Sequence, residues 1–390
     1  MFQHRSLLFA FGFTGLLSST VVYAQRSSDR PEYPAPAYSI TIPFDGFPDF
    51  NHLDKPLQML TSVNGGPAHE FTIDTGSVGV VVPASEVPDI DPHAPPGELR
   101  YVSSGLTLQG VWTRATVRFV DPANKAAFAE ARVDVLAVTR GSCTSGGPNS
   151  GRCTGNIPHM LGVGFGRGSA DGMRAASANP FLNLEAMQRG EMRHGYLITR
   201  RGMTFGLTSP ETKGFDFVKL EAAPLATSKL ETESKSPIPF TKDWATAPGY
   251  LSIGPKDYPM GTILMDTGLT NMMVAEPGQP GGSELPPDPI ITVHLLGGKL
   301  SYRFTPGDTA NPQTPRRVTW IRESHGPFVN TGLRALACYD YLYDADGGYL
   351  ALRPTCPGRY DNTSSVIESK NWSFTYSAFA VACSYIVRGV

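Results

Sequence analysis

Apolar positions along the chain fall into short runs that stop at Gly, Pro, Asn or Asp, and the runs look like strands rather than helices. FTIDTGSVGVVVP, Phe71 to Pro83, is the plainest case: an apolar strand meets Asp-Thr-Gly and a second apolar strand follows at once. GTILMDTGLTNMMV, Gly261 to Val274, repeats the arrangement with Ile263, Leu264 and Met265 before the turn and Met272, Met273 and Val274 after it. YDYLYDADGGYLAL, from Tyr339, reads as two strands joined near Asp346-Gly347. Helical spacing with good helix formers occurs in FLNLEAMQRGEM, which predicts one amphipathic helix over residues 181–192. Near the N-terminus, His4 and Arg5 precede an apolar run from Leu7 to Val22, and Val22-Tyr23-Ala24 has the small-residue pattern of a signal-peptidase site. The run is short for a membrane anchor, the alternative reading.

Composition sharpens this picture. The chain has 390 residues, room for two domains or lobes, and its 41 glycines and 34 prolines favour many short strands, so the expected fold class is mainly β. Charged residues make up 17% and the net charge is −2, which excludes an electrostatic nucleic-acid or membrane-surface binder. Export through the leader permits disulfides. Cys143 and Cys153 flank a Gly/Pro/Asn loop, and Cys338 and Cys356 flank the terminal hairpin, whose centre at residue 347 sets the two sulfurs opposite each other. Free core thiols are the alternative for either pair, and Cys383 is left over.

The acidic residue inside each apolar pair of strands carries the chemistry. Burying an uncompensated carboxylate is costly, so Asp74 needs a partner, and Asp266 in the second copy supplies one. Two carboxyl groups at hydrogen-bonding distance share one proton: the ionised one serves as general base on a water, and the protonated one polarises a carbonyl and protonates a leaving amine. This chemistry requires no metal or organic cofactor.

The segment NGGPAHEFTIDTGSVGVVVP, Asn64 to Pro83, together with Asp266-Thr267-Gly268, resembles the two active-site regions of pepsin-like aspartic proteases. HMLGVGFGR (His159 to Arg167) and YDYLYDADGGYLAL are similar to further parts of that family, so the likeness spans roughly 37–354. The resemblance implies a bilobal pepsin-like fold, two β-rich lobes with a cleft between them, and an aspartic endopeptidase acting through Asp74 and Asp266. It implies supporting roles for Thr75, Gly76, Ser77, Thr267 and Gly268: the threonines cross-link the loops, the glycines permit the turns, and Ser77 donates to Asp74. Tyr101 corresponds to the tyrosine of the flap that closes over substrate, with an ordinary strand tyrosine as the alternative. The expected division is a signal peptide (1–24), a flexible arm (25–36), an N-terminal lobe with Asp74 (37–207), an inter-lobe linker (208–240), a C-terminal lobe with Asp266 (241–356) and an extension of unassigned role (357–390).

Four positions depart from the family pattern. Leu269 stands where a hydroxyl commonly follows the second Asp-Thr-Gly, so Asp266 lacks a counterpart of Ser77 unless Thr270 reaches it. Val81 occupies the position of the indole that supports the flap tyrosine, and Val102 follows Tyr101 in place of glycine. Asn330-Thr331-Gly332 is polar where the second lobe should have apolar-apolar-Gly. Other motifs are bland: GVGFGRG lacks the spacing of a nucleotide loop, the eight histidines show no metal-ligand spacing, and Asp344 with Asp346 fits a hairpin turn better than a calcium loop. Asn362 and Asn371 sit in glycosylation-type triplets. The expected protein is thus a secreted or periplasmic monomer acting on polypeptide substrates. A catalytically weak or inactive scaffold serving as a binding or inhibitor protein is the alternative.

Overall fold

Val78–Val82 is buried at every position in the computed structural model of the chain, and its neighbours explain why. The strand has a parallel partner on one side and an antiparallel partner on the other, so it lies inside a sheet and carries apolar side chains on both faces. The structure describes residues 30–33, 38–46, 48–144, 151, 153–167, 175–223, 240, 242–322 and 326–356. The expected leader, Cys383, Asn362, Asn371 and the C-terminal extension lie outside the described residues, as do most of the arm and residues 224–239 of the linker.

In chain order, β1 (Ile40–Ile42) is followed by β2 (Gln58–Val63), β3 (His69–Asp74), β4 (Val78–Pro83), β5 (Pro96–Tyr101), β6 (Leu106–Val120), β7 (Ala127–Cys143) and β8 (Met160–Val163). Strands β2 to β8 form a seven-stranded sheet of order β2-β3-β8-β4-β7-β6-β5, and β2 also pairs β6, so the sheet curls back on itself. Next come α1 (Glu185–Gln188), β9 (Gly195–Thr199), β10 (Gly202–Phe205) and β11 (Asp216–Lys219). The second large sheet uses β12 (Ala247–Ile253), β13 (Lys256–Asp257), β14 (Gly261–Leu264), β15 (Met272–Ala275), β16 (Ile291–Leu295), β17 (Leu300–Phe304), β18 (Val318–Trp320) and β19 (Phe328–Asn330). Finally β20 (Tyr339–Asp344) and β21 (Tyr349–Pro354) join β1, β9, β10 and β11 in a six-stranded antiparallel sheet of order β1-β10-β9-β20-β21-β11. The chain is mainly β.

The sequence repeat is also a repeat of topology. In the first copy β3 runs parallel to β8, β8 is antiparallel to β4, and β4 is parallel to β7. In the second, β14 runs parallel to β19, β19 is antiparallel to β15, and β15 is parallel to β18. Each Asp-Thr-Gly therefore lies in a turn whose two strands are separated by an inserted third strand. The sheets are joined by packed rings: Phe119, Phe181, Tyr196 and Phe205 meet at centroid distances of 4.8–5.5 Å, linking β6 to β9 and β10.

The helix expected over 181–192 shrinks to the four residues of α1. Asn179 and Asn183 account for the late start, because their amides bond backbone carbonyls instead of leaving them to a helix: Asn179 Nδ2 donates to Val163 O at 2.8 Å, and Asn183 Nδ2 to Asn179 O at 2.8 Å. Gly190, at φ 72°, ends the helix early, donating its N–H to Met187 O while Glu191 N bonds Ala186 O.

Both expected cysteine pairs form, with Cα separations of 5.8 Å for Cys143–Cys153 and 5.1 Å for Cys338–Cys356. The terminal hairpin is offset by one residue from the expected register. Tyr339 faces Pro354 and Asp344 faces Tyr349, and Thr355 N bonds Cys338 O, so Cys356 lies just past the position opposite Cys338. Asp344 and Asp346 brace the turn: Asp344 takes both Nε and Nη2 of Arg193 at 3.0 and 2.8 Å, and Asp346 accepts from His194 N at 2.9 Å. Among the described residues, no helix is long and apolar enough to cross a membrane.

Candidate active site

Asp74 ends β3 and Asp266 follows β14 by two residues, so equivalent strands deliver both carboxyl groups to equivalent turns. Each is 6% exposed. Each also accepts the N–H two residues on, Gly76 N to Asp74 Oδ1 at 2.7 Å and Gly268 N to Asp266 Oδ1 at 2.9 Å, which pins the side chain over its own turn. The turns face each other closely. A Cβ on Gly76 would come within 2.5 Å of the Asp266 carboxyl, and one on Gly268 within 2.7 Å of Asp74 Oδ1. Glycine is required at both positions because any side chain would drive the two acids apart.

The threonines tie the turns together reciprocally. Thr75 N donates to Thr267 Oγ1 at 3.0 Å, and Thr267 N donates to Thr75 Oγ1 at 3.0 Å. Thr267 Oγ1 in turn donates to Ile73 O at 2.6 Å, and Thr75 Oγ1 donates to Met265 O. Both side chains are 1% exposed, so water is no substitute for these bonds.

The remaining oxygen of each acid has a side-chain donor. Ser77 Oγ donates to Asp74 Oδ2 at 2.5 Å. For Asp266 the sequence leaves that place to Leu269 or Thr270, and the structure fills it from elsewhere: Asn330 Nδ2 donates to Asp266 Oδ2 at 2.7 Å. Asn330 is the last residue of β19 and is 3% exposed. Its own Oδ1 accepts Gly332 N at 3.0 Å, which fixes the amide orientation. The polar Asn330-Thr331-Gly332 and the apolar Leu269 are thus linked departures, one supplying the donor that the other lacks. Sequence reasoning missed Asn330 because the pairing depends on a strand inserted between β14 and β15.

Burial, and after it the charge of Asp266, push the Asp74 carboxyl up to about 7, while the bonds from Ser77 and Gly76 pull in the opposite direction. Such a pair retains a proton well above the usual carboxylate range.

Tyr101 ends β5, where the β5–β6 hairpin turns. Its ring lies against an apolar group that includes Val81, Leu99, Leu108, Trp112 and Leu136. Its hydroxyl is buried, and after burial the charge of Asp74 is the chief influence raising its pKa. Trp112, from β6, brings an indole into the same group as Val81, the position where the family resemblance expects one. The segment after β8 also touches the first turn: Arg167 Nε donates to Gly76 O at 3.0 Å, and Gly164 N to Ser77 O at 2.8 Å. Residues 162–167 are therefore packed behind the site, not open as a ligand loop.

Chemically, the arrangement offers a proton-sharing carboxyl pair with a fixed donor on each acid and a buried phenol nearby. No protein-family model matches the chain, and no curated protein matches it either.

Proposed function

We propose that the protein is an exported aspartic endopeptidase of the pepsin-like kind, with two β-rich lobes meeting at Asp74 and Asp266. The observation that carries this reading is the mutual burial of the two acids on topologically equivalent turns cross-linked by Thr75 and Thr267. In the proposed reaction the ionised carboxylate takes a proton from water as the water oxygen bonds the scissile carbonyl carbon. The protonated carboxyl gives its proton to the carbonyl oxygen. The tetrahedral diol then collapses: its C–N bond breaks, the nitrogen leaves with a proton from the acid that had accepted one from water, and one diol hydroxyl returns its proton to the other carboxylate as the C=O bond re-forms. Tyr101, on its hairpin, would lie across the bound peptide. The intact donor set, with Asn330 serving Asp266, favours an active enzyme over an inert scaffold. The two disulfides fit an oxidising compartment such as the periplasm or the medium.

The test is digestion of denatured protein across acid to neutral pH by wild type, Asp74→Asn and Asp266→Asn. Wild type should cleave best at acid pH, and each variant should lose activity while keeping its circular dichroism. Cleavage that persists in either variant, or a wild-type rate still rising above neutral pH, refutes the pair mechanism.

A further inference from the structure

At the opposite end of β3 from Asp74, three side chains from separate parts of the chain converge. His69 opens β3, Glu86 lies in the turn after β4, and His159 immediately precedes β8, the strand between β3 and β4. Both imidazoles present Nε2 to the same carboxylate oxygen: His159 Nε2 is 2.7 Å from Glu86 Oε2 and His69 Nε2 is 3.1 Å from it. The rings stack at a centroid distance of 4.7 Å and an angle of 22°, with both Nε2 atoms near Glu86 Oε2. The edge of the His159 ring is fixed by Phe71, with ring centroids 5.0 Å apart.

The geometry points to a binding site for a divalent transition-metal ion, with His69, His159 and Glu86 as its ligands and zinc as the ion that the donor set fits best. Two imidazole nitrogens and one carboxylate oxygen are ordinary zinc donors, and three protein ligands leave a position for water. The three ligand atoms lie within 4.8 Å of one another. In a tetrahedral site with bonds of about 2.1 Å, ligand atoms are roughly 3.4 Å apart, so the His69–Glu86 contact of 3.1 Å would open by about 0.3 Å and the His159–Glu86 contact of 2.7 Å by about 0.7 Å. The site is accessible. Side-chain exposure is 39% for His69, 23% for His159 and 25% for Glu86, and the two histidines line a shallow depression with Leu60, Ala68 and Glu70.

Three turns or strand ends on neighbouring strands would be stapled by the ion. From His69 to Asp74 is five residue steps of extended strand, about 16 Å, so the ion takes no part in chemistry at the carboxyl pair. Its consequence is order and stability of the sheet that carries Asp74. This inference does not rest on the proposed protease activity.

The full mature chain, freed of metal by a chelator and dialysed, is titrated with ZnCl2 by calorimetry and melted at increasing zinc. Saturable one-to-one binding is expected, with a melting temperature that rises as the site fills. Cobalt should give a visible absorption band from an ordered low-coordinate site. His69→Gln and Glu86→Gln, both at partly exposed positions, should each weaken zinc binding at least about tenfold and abolish the cobalt band. An absence of saturable binding up to millimolar zinc overturns the site. So does binding that is undiminished in both variants, which would place the ion elsewhere in the chain. The zinc-dependent rise in melting temperature of wild type tests the site even if a variant fails to fold.

Discussion

Asn330 shows how one side chain can repair a missing group elsewhere in the chain. Its amide supplies to Asp266 what Ser77 supplies to Asp74, although it arrives on a different strand. A donor to a carboxylate stabilises the ionised form, so removing it strengthens the hold of the pair on its shared proton. A hydrogen bond to a charged group is worth roughly 1.5–3 kcal/mol. At about 1.4 kcal/mol per unit, Asn330→Leu should therefore move the acid limb of the pH–rate profile up by about one to two units. Adding Leu269→Thr to that variant should reverse much of the shift, because a hydroxyl next to the Asp266-Thr267-Gly268 turn can take over the donation to Asp266. Leu269→Thr alone should change little, since the oxygen is already served. An acid limb that stays put in Asn330→Leu would show that this amide does not tune the pair.

At the scale of elements, what matters is the pair of turns rather than either one alone. Each threonine hydroxyl both accepts an N–H from the opposite turn and donates to a backbone carbonyl there. Valine has nearly the same shape and can do neither, so Thr75→Val strands a buried donor and a buried acceptor. With each unsatisfied group costing about 1–3 kcal/mol, Thr75→Val or Thr267→Val should each lower unfolding free energy by roughly 2–6 kcal/mol. The double variant should cost less than the sum, because the four bonds form one connected network. Urea unfolding of all four proteins gives the coupling. Strict additivity would mean that the two turns are held independently, for instance by the packing of Ile73 and Met265.

At the scale of the whole molecule, a buried carboxyl group makes stability depend on pH. Besides Asp74, Glu276 just after β15 is 1% exposed, and neither of its carboxylate oxygens has a hydrogen-bond partner among the described residues. Burial pushes its carboxyl up to about 7, with Lys256 pulling weakly the other way. The folded state thus binds the Glu276 proton more tightly than the unfolded chain does. Its contribution to stability is complete below the ordinary glutamate value and is lost as pH rises to about 7. The loss is at most about 3.5 kcal/mol. Glu276→Gln keeps the shape without the titration, so its stability relative to wild type should increase between pH 5 and pH 8. A difference that stays constant over that range would contradict a buried, neutral Glu276.

The linear pattern of residues carried the local facts. Apolar runs broken at Asp-Thr-Gly specified strand–turn–strand at both sites, because strand burial and turn chemistry depend on near neighbours. The two cysteine pairs were legible for the same reason, each closing a short loop or a hairpin. The helix over 181–192 was misjudged where side-chain bonds to backbone prevailed: Asn183 spends its amide on Ala176 O and Asn179 O, a few residues back, and its Oδ1 accepts the N–H of Phe240 from a remote part of the chain. The donor from Asn330, the indole of Trp112 beside Tyr101 and the His69–Glu86–His159 cluster were decided only by tertiary structure. Each depends on which strand is inserted between which others, and strand order comes from the packing of the whole sheet, not from any stretch of sequence within it.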